Sequence, residues 1–275
     1  MTKGNEKMKK IFGPAIVSLC IASQASAAAP GFVSDSKLTV CTTAAFPPLT
    51  FKQNVGDIRP VGIDIELADA LAKLWGAEAT YVSMDFTGLL PALGAGRCGV
   101  ILSGIYINDE RRKTYDGVSY MKSATVIVKK AGNDAITGPD SLSGKTVALE
   151  SGTYYRQERI DPLNKAFAAA GRSEVVVQDY PAQQAAYQQV LVGRVDATLT
   201  EEAEGAYRAV NTDKQFQVAY VWESTFTYGI YMRRNADDAS FVRAGLKRLH
   251  DKGFFATLAK KYGLDPSVFN VDYDT

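Results

Sequence analysis

Arg111 is the residue best placed to do chemistry, because of what precedes it. Residues 99–111 read GVILSGIYINDER. Val100, Ile101 and Leu102 form a short apolar run, which predicts a strand buried on both faces. The run breaks at Ser103 and Gly104, where a missing Cβ lets another group approach the backbone closely. Asn108 and Asp109 suit a helix N-cap and put Arg111 in the first turn, where the helix dipole would favour an acid over a cation. A guanidinium beside the C-terminal end of a buried strand is suited to grip a carboxylate with two parallel N–H groups. A surface Arg in a turn would show the same spacing. Further on, Glu201 directly follows an apolar strand pattern, with Glu202 and Glu204 opening the next helix. Acids in a first helical turn are usually solvated partners of the dipole.

The elements around these residues alternate. Residues 37–43 read as a first strand, closed by Phe46-Pro47-Pro48, whose prolines fix an extended loop with Phe46 at the strand's C-terminal end. A helix follows Gly62-Ile63-Asp64, with Asp64 as its expected N-cap. Residues 79–83 form a second strand. Asp85-Phe86-Thr87 opens a helix that ends at Gly94-Ala95-Gly96. After strand 126–130 and the connection Gly132-Asn133-Asp134 the pattern begins again. Strand 146–150 leads into Ser151-Gly152-Thr153 and a helix from Tyr154 or Tyr155 towards Ala170, a turn that could meet an anion. Strands 175–178, 195–199 and 226–232 alternate with helix 182–192, and two helices, 238–249 and 254–262, close the chain. This alternation predicts a parallel α/β sheet, in which ligands sit beyond the carboxyl ends of the strands. Phe46, Gly104 and Arg111 all lie there, which favours the ligand reading of Arg111.

The first 29 residues read as an export signal. Lys3, Lys7, Lys9 and Lys10 precede an apolar stretch at 11–22, and Ala25-Ser26-Ala27 offers a cleavage site. Leu19 before Cys20 argues against a lipid anchor, and no later segment is apolar enough to cross a bilayer. Cutting after residue 27 removes four lysines and one glutamate from 31 basic and 30 acidic residues, leaving 27 against 29, a net −2. Such a balance gives no reason to expect nucleic acid or an anionic membrane as partner. Cys41 and Cys98 could bridge in an oxidising compartment, but two strand positions seldom meet disulfide geometry, so both are expected as buried small hydrophobes. His250, the lone histidine, falls near a helix end where it suits the dipole. A zinc site or a His-based triad is therefore not expected.

Taken in order, LTVCTTAAFPPLTF, VGIDIELADALAKLWG, DFTGLLPALGAGRCGVILSGIYINDERR, LSGKTVALESGT, GRVDATLTEEAEGAY and YGIYMRRN resemble the polar amino-acid branch of periplasmic solute-binding proteins. These are the glutamine-, histidine- and lysine/arginine-binding subunits of ABC importers. The resemblance covers nearly the whole chain after the signal. It implies a two-lobe α/β Venus-flytrap fold with two hinge crossings, residues 30–130 and 226–275 forming the first lobe and 131–225 the second. By position it implies that Phe46 and Phe86 pack on the ligand side chain. It further implies that the Gly104 carbonyl meets an α-ammonium, Arg111 clamps the α-carboxylate, Thr153 and Tyr154 sit on a turn of backbone N–H groups, and Glu201 pairs with the ammonium. Tyr106, also expected at the ligand, stands where similar proteins carry Thr or Ser, and Tyr154-Tyr155 replaces smaller polar residues. Gly99 and Thr43 stand where members carry acids. The three tyrosines suit an aromatic ligand, a cationic one, or plain wall packing.

The resemblance also implies a monomeric, periplasmic partner of a membrane permease, with no cofactor, metal or nucleic acid. The alternative is an enzyme, because cyclohexadienyl dehydratases resemble the same family and use a cleft Glu. Glu204 stands near that position and is expected to point towards the cleft rim.

Overall fold

The computed structural model describes residues 29–273 together with 1, 2 and 4. Apart from residues 1, 2, 4 and 29, the expected signal lies outside the described residues. No helix among them is long and apolar enough to cross a membrane.

Two parallel half-sheets share one antiparallel seam. Strand β1 (Lys37–Thr42) pairs in parallel with β4 (Glu78–Ser83) and β5 (Val100–Ile101). The small ribbon of β2 (Ala45–Phe46) and β3 (Thr50–Phe51) follows β1. Strand β7 (Thr146–Glu150) pairs in parallel with β8 (Val176–Tyr180) and β9 (Ala197–Glu201). Between them run β6 (Tyr115–Lys130) and β10 (Phe216–Arg233), giving the order β4-β1-β5-β10-β6-β9-β7-β8.

Both seam strands are longer than their apolar patterns predict. Asp116, Gly117, Ser119 and Ser123 interrupt the first part of β6, and the ladder with β10 holds it extended regardless. The register shifts between Val221 and Thr225 of β10, opposite Val126 and Ala124. There Thr125 already pairs with Glu201 of β9. One continuous strand pair thus passes from the first lobe into the second.

Helices cover the sheet where their apolar faces direct. In the first lobe α1 (Ile63–Leu74) buries Ile63, Leu67 and Leu71. It packs against α7 (Ala236–Asp251), where a Cβ on Gly245 would lie 2.8 Å from the Leu71 side chain. Helices α2 (Leu89–Gly94) and α3 (Asp109–Arg112) flank β5, and α8 (Phe254–Tyr262) closes the chain. The second lobe carries α4 (Asp161–Ala169), α5 (Gln183–Leu191) and α6 (Glu202–Asn211). The helix expected from Tyr154 begins instead as a π-helical turn over Arg156–Ile160 before α4. His250 sits in the last turn of α7, as expected.

Two expectations are corrected here. Asp64 is not the N-cap of α1. Gly62 holds that place at φ 128°, where a Cβ would lie 2.2 Å from the Leu49 carbonyl, and Asp64 turns inward fully buried. Cys41 and Cys98 are also not free thiols but a disulfide, with Cα atoms 5.7 Å apart. The expectation placed Cys98 in a strand, whereas it lies in the turn before β5, free of the ladder, where its side chain can meet Cys41.

The bridge spans a sequence separation of 57 residues. On chain-entropy grounds its removal costs about 4 kcal/mol. Urea unfolding of Cys41→Ala/Cys98→Ala against the oxidised protein should show a loss of that order. Equal midpoints would mean that the bridge does not hold the first lobe together.

Candidate functional site

The strand ends of the two lobes face each other across a cavity of about 430 Å³, counted out to its open mouth. Phe46, Phe86, Gly104, Tyr106, Arg111, Thr153, Tyr154 and Glu201 all line it, so the structure brings together the eight residues expected at the ligand.

The first-lobe wall is built on the end of β5. Ser103 accepts the Thr43 N–H at 2.9 Å and donates to the Thr43 hydroxyl at 3.1 Å, tying β1 to β5. Gly104 adopts φ 58°, and a Cβ there would lie 2.8 Å from the Phe46 ring. Its N–H donates to Asp64 at 2.8 Å, and Tyr120 donates to the other Asp64 oxygen at 2.6 Å. Burial raises the Asp64 carboxyl to about 6, against the lowering effect of these two bonds. The Asn108 side chain caps α3 by accepting the Arg111 N–H at 2.9 Å. The Arg111 guanidinium then lies 5.7 Å from the Phe86 ring centre and donates one N–H to the Tyr106 carbonyl at 2.7 Å. Tyr231 donates to the same carbonyl at 2.9 Å. A guanidinium held by one edge keeps its remaining N–H groups for an anion.

The second-lobe wall is acidic. Glu150 ends β7, and the turn after it is held by the Thr153 hydroxyl donating back to the Glu150 carbonyl at 2.7 Å. Glu201 ends β9 and is 5% exposed. Burial pushes its carboxyl up to about 8, the hydroxyl of Tyr155 bonds it, and the charges of Glu204 and Glu150 push it further up. Burial and the Glu204 charge likewise raise Glu150 to about 8.

Glu204 is not at the rim. It is fully buried, taking the Thr200 hydroxyl at 2.5 Å and Arg208 N–H groups at 2.9 and 3.1 Å. A Cβ on its neighbour Gly205 would lie 2.9 Å from Val126, so α6 lies flat on the sheet and presses this face inward. The sequence shows acids in a first turn; it does not show which face the sheet covers.

The lobes touch around the cavity. A Cβ on Gly152 would lie 2.9 Å from Thr87, and Phe51 meets Tyr207 with ring centres 5.6 Å apart. Tyr106 packs on Tyr154 at 4.6 Å and on Phe226 at 4.9 Å, and its hydroxyl reaches Glu158 at 3.4 Å. The tyrosines thus pack on one another as a wall. Sequence reasoning missed Glu150 and Gln183, while Tyr155, read there as one of three tyrosines at the ligand, also lines the cavity. Glu150 ends its strand just as Glu201 does, and that parallel was the available signal. Gln183 sits at a helix start with no such mark. Among the described residues no acid, His or Cys cluster could hold a metal.

Bacterial extracellular solute-binding proteins, family 3, match the chain over residues 38–265. The chain belongs to that family. This solute-binding protein is 23% identical over 233 residues to an arginine-binding protein of Corynebacterium glutamicum, covering 85% of this chain and 76% of the relative. An ancestral arginine-binding protein bound to arginine superposes with a TM-score of 0.73 at 32% identity, covering 82% of this chain and 98% of the other. An ancestral amino acid-binding protein described as a precursor of cyclohexadienyl dehydratase also superposes, with a TM-score of 0.73 at 28% identity, covering 82% and 95%. The family and these neighbours agree with the two-lobe fold expected from the sequence.

Asp64 offers a test of how the first-lobe wall is held. Its carboxyl keeps its proton to about 6 in the fold against 3.8 ordinarily, so its contribution to stability falls as pH rises from about 4 to about 6. Urea unfolding at pH 4, 5 and 6 should show that slope flattened in Asp64→Asn. Asp64→Ala, which orphans two buried donors, should lose on the order of 2–5 kcal/mol at every pH. A slope shared by wild type and Asp64→Asn would show that this carboxyl does not titrate there.

Proposed function

We propose that the solute-binding protein captures an α-amino acid, or a derivative keeping its ammonium and carboxylate, between its lobes and delivers it to a membrane ABC permease. One observation carries this: a first-lobe guanidinium, Arg111, and a nearly buried second-lobe carboxylate, Glu201, line the same small cavity. An α-amino acid carries the opposite charges close together, so holding one end from each lobe couples recognition to closure. In this reading Arg111 clamps the carboxylate, and Glu201 with the Gly104 carbonyl holds the ammonium. The Thr153-Tyr154 turn adds backbone N–H groups, and Phe46 and Phe86 pack on the side chain. The names of the arginine-binding relatives support this substrate class.

The chain acts as a receptor rather than an enzyme in this proposal. The dehydratase alternative rested on Glu204, which Arg208 and Thr200 occupy outside the cavity. The protein is periplasmic and monomeric, exported through the cleavable signal at residues 1–29. In place of the expected boundaries at residues 130–131 and 225–226, we divide the lobes near residues 124–125 and 222–225, because Thr125–Lys129 pair with β9 and the seam shifts register there.

Calorimetric titration with the common amino acids tests the site. For whichever binds, Arg111→Ala should weaken affinity by on the order of 2–5 kcal/mol, and Arg111→Lys should also weaken it, since the planar fork is lost. Glu201→Gln should weaken it comparably. Unchanged affinity in all three would remove these residues from the grip. Prephenate and arogenate should pass through the wild-type protein unconverted, and phenylpyruvate or phenylalanine formation would restore the enzyme reading.

Closure has its own measurement. Gly152–Thr87 and Tyr106–Glu158 contacts belong to a closed arrangement, which a ligand bound to both lobes favours. Solution scattering should show the radius of gyration fall on saturation with the amino acid that binds. A constant value with an already compact free protein would place closure before binding; a constant, open value would exclude closure.

A further inference from the structure

The second-lobe wall holds more acceptor capacity than an α-ammonium can use. Besides Glu201, Glu150 lines the cavity at the end of the neighbouring parallel strand. Adjacent strands lie about 5 Å apart, so the two carboxylates emerge side by side but from separate positions. Gln183 stands beside them, 2% exposed and also lining the cavity. Its backbone N–H bonds Glu150. Its side-chain Nε2 donates to the Leu199 carbonyl at 3.0 Å and the Thr198 hydroxyl at 3.2 Å, which fixes the amide's orientation. The Gln183 Oε1 is then a buried acceptor with no partner. A buried acceptor without a donor costs free energy that a ligand N–H can recover.

The charges around Glu150 do not neutralise it. Glu201 from β9, Glu204 from α6 and Asp85 from the first lobe all face it as like charges. Arg208 is committed to Glu204, and Arg156, beyond the turn, is committed to Asp179 at 2.5 Å. Arg111 lies on the opposite wall beside Phe86 and the Tyr106 carbonyl.

We propose that Glu150 and the Gln183 Oε1 form a second anchor, separate from Glu201, that selects amino acids whose side chain ends in a cationic, N–H-rich group. This rests on the amino-acid reading above and deepens it. The ligand then brings two positive charges to two carboxylates on one wall and one negative charge to Arg111 on the other. Binding has a proton signature. Burial and mutual repulsion keep the Glu150–Glu201 pair partly protonated near neutrality, both being raised to about 8. A cationic side chain favours the ionised form, so capture releases a proton and affinity rises with pH between about 6 and 8.

The test is calorimetry on the full protein with two matched pairs, arginine with citrulline and lysine with norleucine, in phosphate and in Tris at pH 7. At least one cationic member should bind roughly 100-fold tighter than its neutral partner. Its apparent enthalpy should differ between buffers as expected for proton release. Glu150→Gln should cut that preference at least about tenfold and reduce the excess proton release of the cationic member. A melting temperature no lower than wild type would show that the variant folds. The proton release of the cationic member in excess of its neutral partner's is read on the wild-type protein and needs no variant. Neutral partners binding within about threefold of the cationic ones, or a preference undiminished in Glu150→Gln, would overturn the second anchor and leave the α-amino-acid grip standing. No binding of any of the four, nor of the other common amino acids, would overturn both.

Discussion

The ladder between β6 and β10 is the constraint on which the rest depends. It is the only element pair that runs through both lobes among the described residues, and its antiparallel register lets each half-sheet grow outward from it in parallel. Parallel strands on both sides bring their carboxyl ends to the seam's middle. There the register shifts between Val221 and Thr225, and Thr125 meets Glu201. The cleft is therefore a consequence of topology. A site made of strand ends from two half-sheets must lie where the shared strands change partners.

Electrostatics divides the cleft as the topology does. The first lobe supplies Arg111, backbone groups and aromatic rings; the second supplies carboxylates and an orphan amide oxygen. In a partly dry cavity the like charges of Glu150 and Glu201 cost more than they would in water, and burial holds their protons on. Glu204 belongs to the same field without touching the cavity. Its pairing with Arg208 secures α6 to the sheet, while its charge still reaches both cleft carboxylates.

A second buried carboxyl serves structure. Asp64 takes the Gly104 N–H and the Tyr120 hydroxyl, joining the first turn of α1 to the end of β5 and to β6. The left-handed turn at Gly104 and the Phe46 ring against it leave no room for a side chain at that position. With Asn108 capping α3, these contacts set where Arg111 stands without touching its guanidinium.

The sequence by itself determined the alternation of strands and helices, and hence the strand ends at which Phe46, Gly104 and Arg111 gather. Those signals are local: apolar runs, prolines, glycines and caps. It did not determine the full length of β6, because Asp116, Gly117 and Ser119 are poor strand formers held extended only by β10. Nor did it show that Asp64 turns inward, that Cys98 leaves the ladder to meet Cys41, or that Glu204 faces the sheet. Each of these depends on what packs against the residue, and the partner lies far away in the chain or on a face that periodicity alone does not orient. Glu150 and Gln183 belong to the same class. Their shared place in the cavity arises only when β7, β9 and α5 meet.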